Sequence, residues 1–222
     1  MLGWYSWKAY DFNQAVKEAK ELGWDFTYSD PIALIRANWK AAFSKETWRV
    51  TERKLFIKQS KQLEPHFDVI RRLKPNELAS VAPFPMRDLS ELRGMSDLTE
   101  LYLFTCPKLT NIEALTGMKG LTKVTISQAP GLANIDALKK LKNLEYLFLR
   151  ECTALTNVDA LRELKALKIL SINGCSGLKN VDGLLGLQGL EILFLNGCTG
   201  LTTEAVDAVK VALPKTNFKP PF

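Results

Sequence analysis

One histidine, four cysteines and no long uninterrupted apolar run leave this chain poor in the groups from which most enzymes, metal sites and membrane spans are built. The histidine, His66, stands beside Phe67 and Asp68. With no second imidazole and no cysteine near it in sequence, a Cys/His or Ser/His relay is not expected. No GxxxxGK[ST] phosphate loop occurs; GCSGLKN and GCTGLTT are glycine-bearing turns of another kind. A span needs about 18 or more consecutive apolar residues, and nothing here approaches that. The opening MLGWYSWKAYDF lacks the basic and apolar regions of a secretory leader. The cysteines form no CxxC pair, so converging zinc ligands are not expected either. Tryptophan is absent after Trp48.

What the chain has instead is a period. Leu98, Leu121, Leu144, Leu167 and Leu190 open the same phrase at intervals of 23 residues. The full copies at 121–143, 144–166 and 167–189 read LTKVTISQAPGLANIDALKKLKN, LEYLFLRECTALTNVDALRELKA and LKILSINGCSGLKNVDGLLGLQG. Their template, LxxLxLxxCxxLxNIxxLxxLxx, also holds over 98–120, without insertion or deletion. Extending the register backwards places Leu78, Met86, Leu89, Leu92 and Met95 on template positions of a degraded unit at 75–97. One step further, Leu55, Ile57, Ser60, Leu63 and Val69 give a weaker match, in a region where 64–74 also reads as a short helix. The template resembles the leucine-rich repeat family in a 23-residue variant with cysteine where many members carry asparagine. That resemblance implies an α/β solenoid with a curved parallel β-sheet on the concave face and short helices or turns on the convex face. It also implies a binding surface rather than a catalytic pocket.

Within one repeat, the LxLx stretch alternates as a strand does, sending positions 4 and 6 inward and positions 3, 5 and 7 outward. The acids at position 16 (Glu113, Asp136, Asp159, Asp182) are expected to cap short convex helices by accepting orphan N–H groups. Cys106, Cys152, Cys175 and Cys198 share position 9 with Ala129, which fits a small thiol in a tight buried corner. Free buried thiols and the leaderless start point to a reducing, cytoplasmic setting.

Three regions are expected. Residues 1–74 read as a mainly helical N-terminal capping region, with helices over FNQAVKEAKEL and IALIRANWKAAF; ETWRVTERKLFIKQS, 46–60, fits helix or strand. Residues 75–201 are the repeats, and 202–222 hold a capping helix, AVDAVKVAL, and a tail. The formal net charge is +6, and eleven Lys or Arg against four acids lie in 36–74. That stretch carries the alternative reading, a surface for nucleic acid or an anionic membrane; no nucleic-acid motif accompanies it.

Outward positions can vary without disturbing the core. Tyr146, Ile169 and Ile192 at position 3, with Phe148 and Phe194 at position 5, place apolar groups on a face that normally meets water. Tyr102 and Phe104 lie nearer the front, and Arg150, Asn173 and Asn196 at position 7 supply polar neighbours. These ten residues form the candidate partner-binding site. The expected function is a non-enzymatic protein-interaction module of effector, immunity, inhibitor or adaptor type, with no cofactor or metal. Its partner is another protein, a second copy of the chain being an alternative. The C-terminal KTNFKPPF is a candidate cover for the same face.

Overall fold

A computed structural model describes residues 14–21, 25–28, 53–57, 67–80 and 84–218. The 23-residue period becomes a physical repeat. Strands β3 (Glu77–Ser80), β4 (Glu100–Leu103), β5 (Lys123–Ser127), β6 (Tyr146–Arg150), β7 (Ile169–Ser171) and β8 (Ile192–Phe194) stack side by side in chain order. All are parallel, and each residue faces the one 23 positions on: Glu77 opposite Glu100, then Lys123, Tyr146, Ile169 and Ile192. Just before each strand, a backbone ladder of the same spacing ties the coils, from Thr99 N to Asn76 O through Glu191 N to Lys168 O, at 2.7–2.8 Å. The return path of each coil is a short 3-10 turn, such as Glu113–Gly117 and Asp136–Lys140.

The template leucines fill the interior. In the coil 144–166, Leu144, Leu147, Leu149, Leu155, Val158, Leu161 and Leu164 are all fully buried. Each such side chain contributes about 1.5–3 kcal/mol by leaving water, so a coil with seven is held mainly by this stripe. The core is continuous from Ala15 to Leu213.

Sheet and register reach further forward than the unit at 75–97. Strand β2 (Arg53–Ile57) pairs parallel with β3, Lys54 opposite Glu77, at the same 23-residue offset, and Leu55 and Ile57 are buried as template positions 4 and 6 require. Within the stretch that fits helix or strand, Arg53–Ile57 is therefore strand. Strand β1 (Asp25–Tyr28) adds on antiparallel. Helix α1 (14–21) buries Ala15, Val16 and Ala19, and α2 (Phe67–Leu73) buries Phe67, Val69, Ile70 and Leu73. The front of the chain thus joins the end of the ribbon through both helices and strands. The helix read over IALIRANWKAAF, His66 and the tail beyond Phe218 lie outside the described residues.

At the far end, helix α3 (Thr203–Ala212) starts where the Thr202 hydroxyl accepts from Ala205 N at 3.2 Å. It turns Val209 against the last coil, and Leu213, just past the helix end, is buried there as well. Strand β9 (Asn217–Phe218) then pairs with β8, Ile192 opposite Asn217, an offset of 25 rather than 23.

The capping of the 3-10 turns differs from expectation. The position-16 acids do not accept the orphan N–H groups. Those of Glu113, Asp136 and Asp182 are accepted at 2.7 Å by the side-chain oxygens of Asn111, Asn134 and Asn180, and Asp159 N by Asn157 at 3.3 Å. In the first coil Asp88 does the same for Ser90 N at 2.8 Å. A side-chain oxygen two residues upstream reaches the turn's first N–H, as in an Asx-turn. The acids themselves stay exposed.

Candidate functional site: the outer face of the sheet

All ten sequence-predicted residues sit on the outer side of the sheet or at the C-terminal ends of its strands, since the strand pleat sends alternate side chains out. Pairing brings Tyr146, Ile169 and Ile192 into one row. Tyr102, Thr125, Phe148, Ser171 and Phe194 form the next row. That second row alternates large and small. Thr125 and Ser171, although outward, are only 6% and 3% exposed, because the rings on either side close over them. In consequence Tyr146, Phe148, Ile169, Ile192 and Phe194 are each half-buried rather than standing free. Phe104 is the most open of the group at 40%, stacked on Tyr102 with ring centroids 6.1 Å apart. Arg150 is exposed, while the Asn173 side chain accepts from Asn196 N at 2.9 Å and so braces the strand ends.

The face divides along its length. Toward the front, position 3 carries paired charges: Lys54 Nζ lies 3.0 Å from the Glu77 carboxylate and Lys123 Nζ 2.9 Å from Glu100. The Tyr102 hydroxyl donates to Glu100 at 2.5 Å. Partial burial works to raise the Glu100 pKa, but the hydrogen bonds from Lys123 and Tyr102 outweigh it and hold the carboxyl below its usual range. Burial, then the bond to Glu100, pushes the Tyr102 phenol up. Lys123 also lies 5.5 Å from the centre of the Tyr146 ring, a cation–π contact where the charged half meets the apolar half. Sequence reading missed the Glu100–Lys123–Tyr102 cluster as a unit. The available signal was opposite charge at position 3 of neighbouring coils.

Beneath this face the four free thiols are buried, and the hydrogen bond with Cys152 lowers the Cys175 pKa while the other three are raised. Burial pushes Cys106 up to about 12 and Cys198 up to about 11. Cys152 is also raised, by its hydrogen bond with Cys175 and by burial. Each thiol donates to a backbone carbonyl, as Cys198 does to Ile172 O at 3.0 Å. Among the described residues, no three His, Cys, Asp or Glu side chains converge as metal ligands. The described residues also hold no helix long and apolar enough to cross a membrane.

The parallel ribbon, the 3-10 return and the stacked leucine interior are shared with known structures. An internalin from Listeria monocytogenes superposes with a TM-score of 0.54 at 19% identity, over 68% of this chain and 42% of the internalin. The leucine-rich repeat domain of the type III effector XopL superposes with a TM-score of 0.52 at 21% identity, over 76% of each chain. The fold is the leucine-rich repeat fold. This chain therefore spans about two fifths of the internalin's length. No protein-family model matches the sequence, and no curated protein does.

Proposed function

We propose that this leucine-rich repeat chain is a non-catalytic protein-interaction module that docks another protein on the rear of its concave face. The observation that carries the reading is the in-register block of Tyr146, Phe148, Ile169, Ile192 and Phe194, which holds no charge. The front of the same face, by contrast, neutralises its charges in pairs. Aromatic and aliphatic anchors set in a shallow array, with the exposed Arg150 at the rim, have the composition of a binding hot spot. The internalin and effector domains share the scaffold. A reducing, cytoplasmic setting suits four free, buried thiols.

The alternative, an anionic partner on 36–74, is less favoured by what is described there. Lys54 pairs with Glu77, Arg71 with Glu91, and Arg72 with Glu18 and Asp68.

Side-by-side affinity capture separates the two. A Phe148→Ala/Phe194→Ala variant is expected to lose the bound protein, with retention falling at least tenfold, since hot-spot truncations cost about 2 kcal/mol or more. Charge reversal at Arg49, Arg53, Lys54 and Lys58 is expected to retain it. A folded double-alanine variant that holds the same protein at full affinity refutes the concave-face reading. Sedimentation velocity of wild type and variant tests whether the captured species is a second copy of the chain.

A further inference from the structure

Across the five coils 75–189, charge is sorted by place in the repeat. The last five positions of each coil, on the turn that leads into the next strand, hold seven cations against two carboxylates, Asp97 and Glu163. Arg93 and Lys119 come from the first two coils, Lys139, Lys140 and Lys142 from the third, and Arg162 and Lys165 from the fourth. The stretch from the strand end through the start of the 3-10 turn, positions 8–18, holds three cations against seven carboxylates. Turn dipoles account for part of this, since acids favour the start and bases the end of a helical turn, as with Asp136 and Lys139 at 3.0 Å. They do not account for Lys119, Lys142 and Lys165, which stand in one row beyond the ends of their turns. Lys142 has a carboxylate only at 3.8 Å, Lys165 donates to Gly186 O, and Lys119 and Lys140 have no carboxylate partner among the described residues. Coils repeat about every 4.8 Å. The three lysines therefore spring from backbone positions within roughly 10 Å, near one Debye length in physiological salt.

Both ends of the row carry something more. At the front it runs into a cavity of about 190 Å³ between α2 and the turn at 93–97, lined by Lys74, Arg93 and Asp97 and by Arg71, whose charge is already taken up by Glu91. At the rear, position 19 becomes Leu185, and the Gln188 side chain on the same turn donates to Ala212 O of α3 at 3.1 Å. Leu185 and the neighbouring Val211, 82% exposed, are two of the three large apolar residues left open among those described.

We propose that this turn edge docks on an anionic phospholipid surface. A row of lysines meets headgroup phosphates without fixed geometry, and the open Val211 with the partly exposed Leu185 beside it offers aliphatic contact to the hydrocarbon beneath the charge. A nucleic acid would answer the lysines but not Leu185 and Val211, and single strands would want aromatic stacking that this edge does not offer. The surface is separate from the concave face.

Sedimentation of the full chain with phosphatidylcholine vesicles, with and without phosphatidylserine, tests this. Binding is expected only with phosphatidylserine and is expected to fall as salt rises. Each lysine near such a surface is worth about 1 kcal/mol, roughly fivefold, so Lys119→Gln/Lys142→Gln/Lys165→Gln should weaken binding on the order of a hundredfold. Leu185→Ser/Val211→Ser should weaken it less, and Phe148→Ala/Phe194→Ala should leave it unchanged. Circular dichroism melts confirm folding, and Lys119→Gln alone replaces the triple variant if that melts early, with a fivefold loss expected. The proposal is overturned if phosphatidylserine vesicles do not retain the chain at low salt, or if the folded lysine variant binds like wild type. It is also overturned if duplex DNA binds more tightly than the vesicles and does so independently of Leu185 and Val211.

Discussion

At the residue scale, the column at position 14 shows how one small side chain sets a turn. Asp88, Asn111, Asn134, Asn157 and Asn180 each present an oxygen to the N–H two residues on, and Asp88 with Asn111 and Asn157 with Asn180 also bridge backbone to backbone. Removing the oxygen leaves the first N–H of the 3-10 turn without its partner. Asn134→Ala is accordingly expected to cost about 1 kcal/mol, read as a lowered urea midpoint at unchanged slope. Asn134→Asp should keep most of that, because Asp88 performs the same task at the head of the repeats. The Asp88 carboxyl is held below its usual range by hydrogen bonds from the Ser90 side chain and N–H. A depressed folded pKa stabilises above the unfolded value and is lost as pH falls through the folded one. The aspartate version should therefore match wild type at neutral pH and fall behind it in acid. An alanine variant as stable as wild type would show that water replaces the amide oxygen at no cost.

At the element scale, one coil departs from its neighbours in a way the repeat alone would hide. Position 17 is Ala114, Ala137 and Ala160 in successive coils and then Gly183. Alanine is the better helix former, and repair toward the repeat consensus commonly stabilises. Here a Cβ would lie 2.2 Å from Val158 O, on backbone that cannot swing aside. Gly183→Ala is thus expected to destabilise, by about 1–3 kcal/mol as overpacking does. A thermal melt at or above the wild-type midpoint would refute this tight approach of the coils. The contrast marks what the sequence makes legible. Spacing of Leu98, Leu121, Leu144, Leu167 and Leu190 dictates strand register, inward face and the placement of Tyr146 and Phe148 outside, because all follow from periodicity. Residues 53–57 are ambiguous in sequence because RKLFI fits either element until its partner at Glu77–Ser80 is in place. Residue type and spacing suit the acids at position 16 as caps as well as the residues at position 14; only the direction of the turn's first N–H separates them. The half-closed state of Phe148 and Phe194 depends on Thr125 and Ser171 lying between larger neighbours from other coils.

At the scale of the whole molecule, a solenoid behaves as a one-dimensional stack in which each coil is stabilised by its neighbours, so its ends decide whether it stays closed. Counting charge along the chain conceals the sorted turn edge, since cations at the end of each repeat offset acids earlier in the same repeat. Counting along the stack also shows how growth is stopped. Strand β9 is two residues long and enters at an offset of 25, while α3 lays Val209 over the last coil, with Leu213 buried just beyond it. The Thr216 hydroxyl closes the seam by donating to Leu190 O at 2.6 Å. Without 202–222, Leu190, Leu193, Leu195 and Leu201 would face water and the edge of β8 would be unpaired, a template for a second chain. A 1–201 truncation is therefore expected to self-associate in sedimentation velocity and to unfold at lower urea. Full-length Phe148→Ala/Phe194→Ala is expected to keep the wild-type urea transition. Because association through β8 is edge to edge, adding the double alanine substitution to the truncation should not restore a monomer. If it does, the concave face and not the opened end is the adhesive surface, and the role assigned here to α3 and β9 fails.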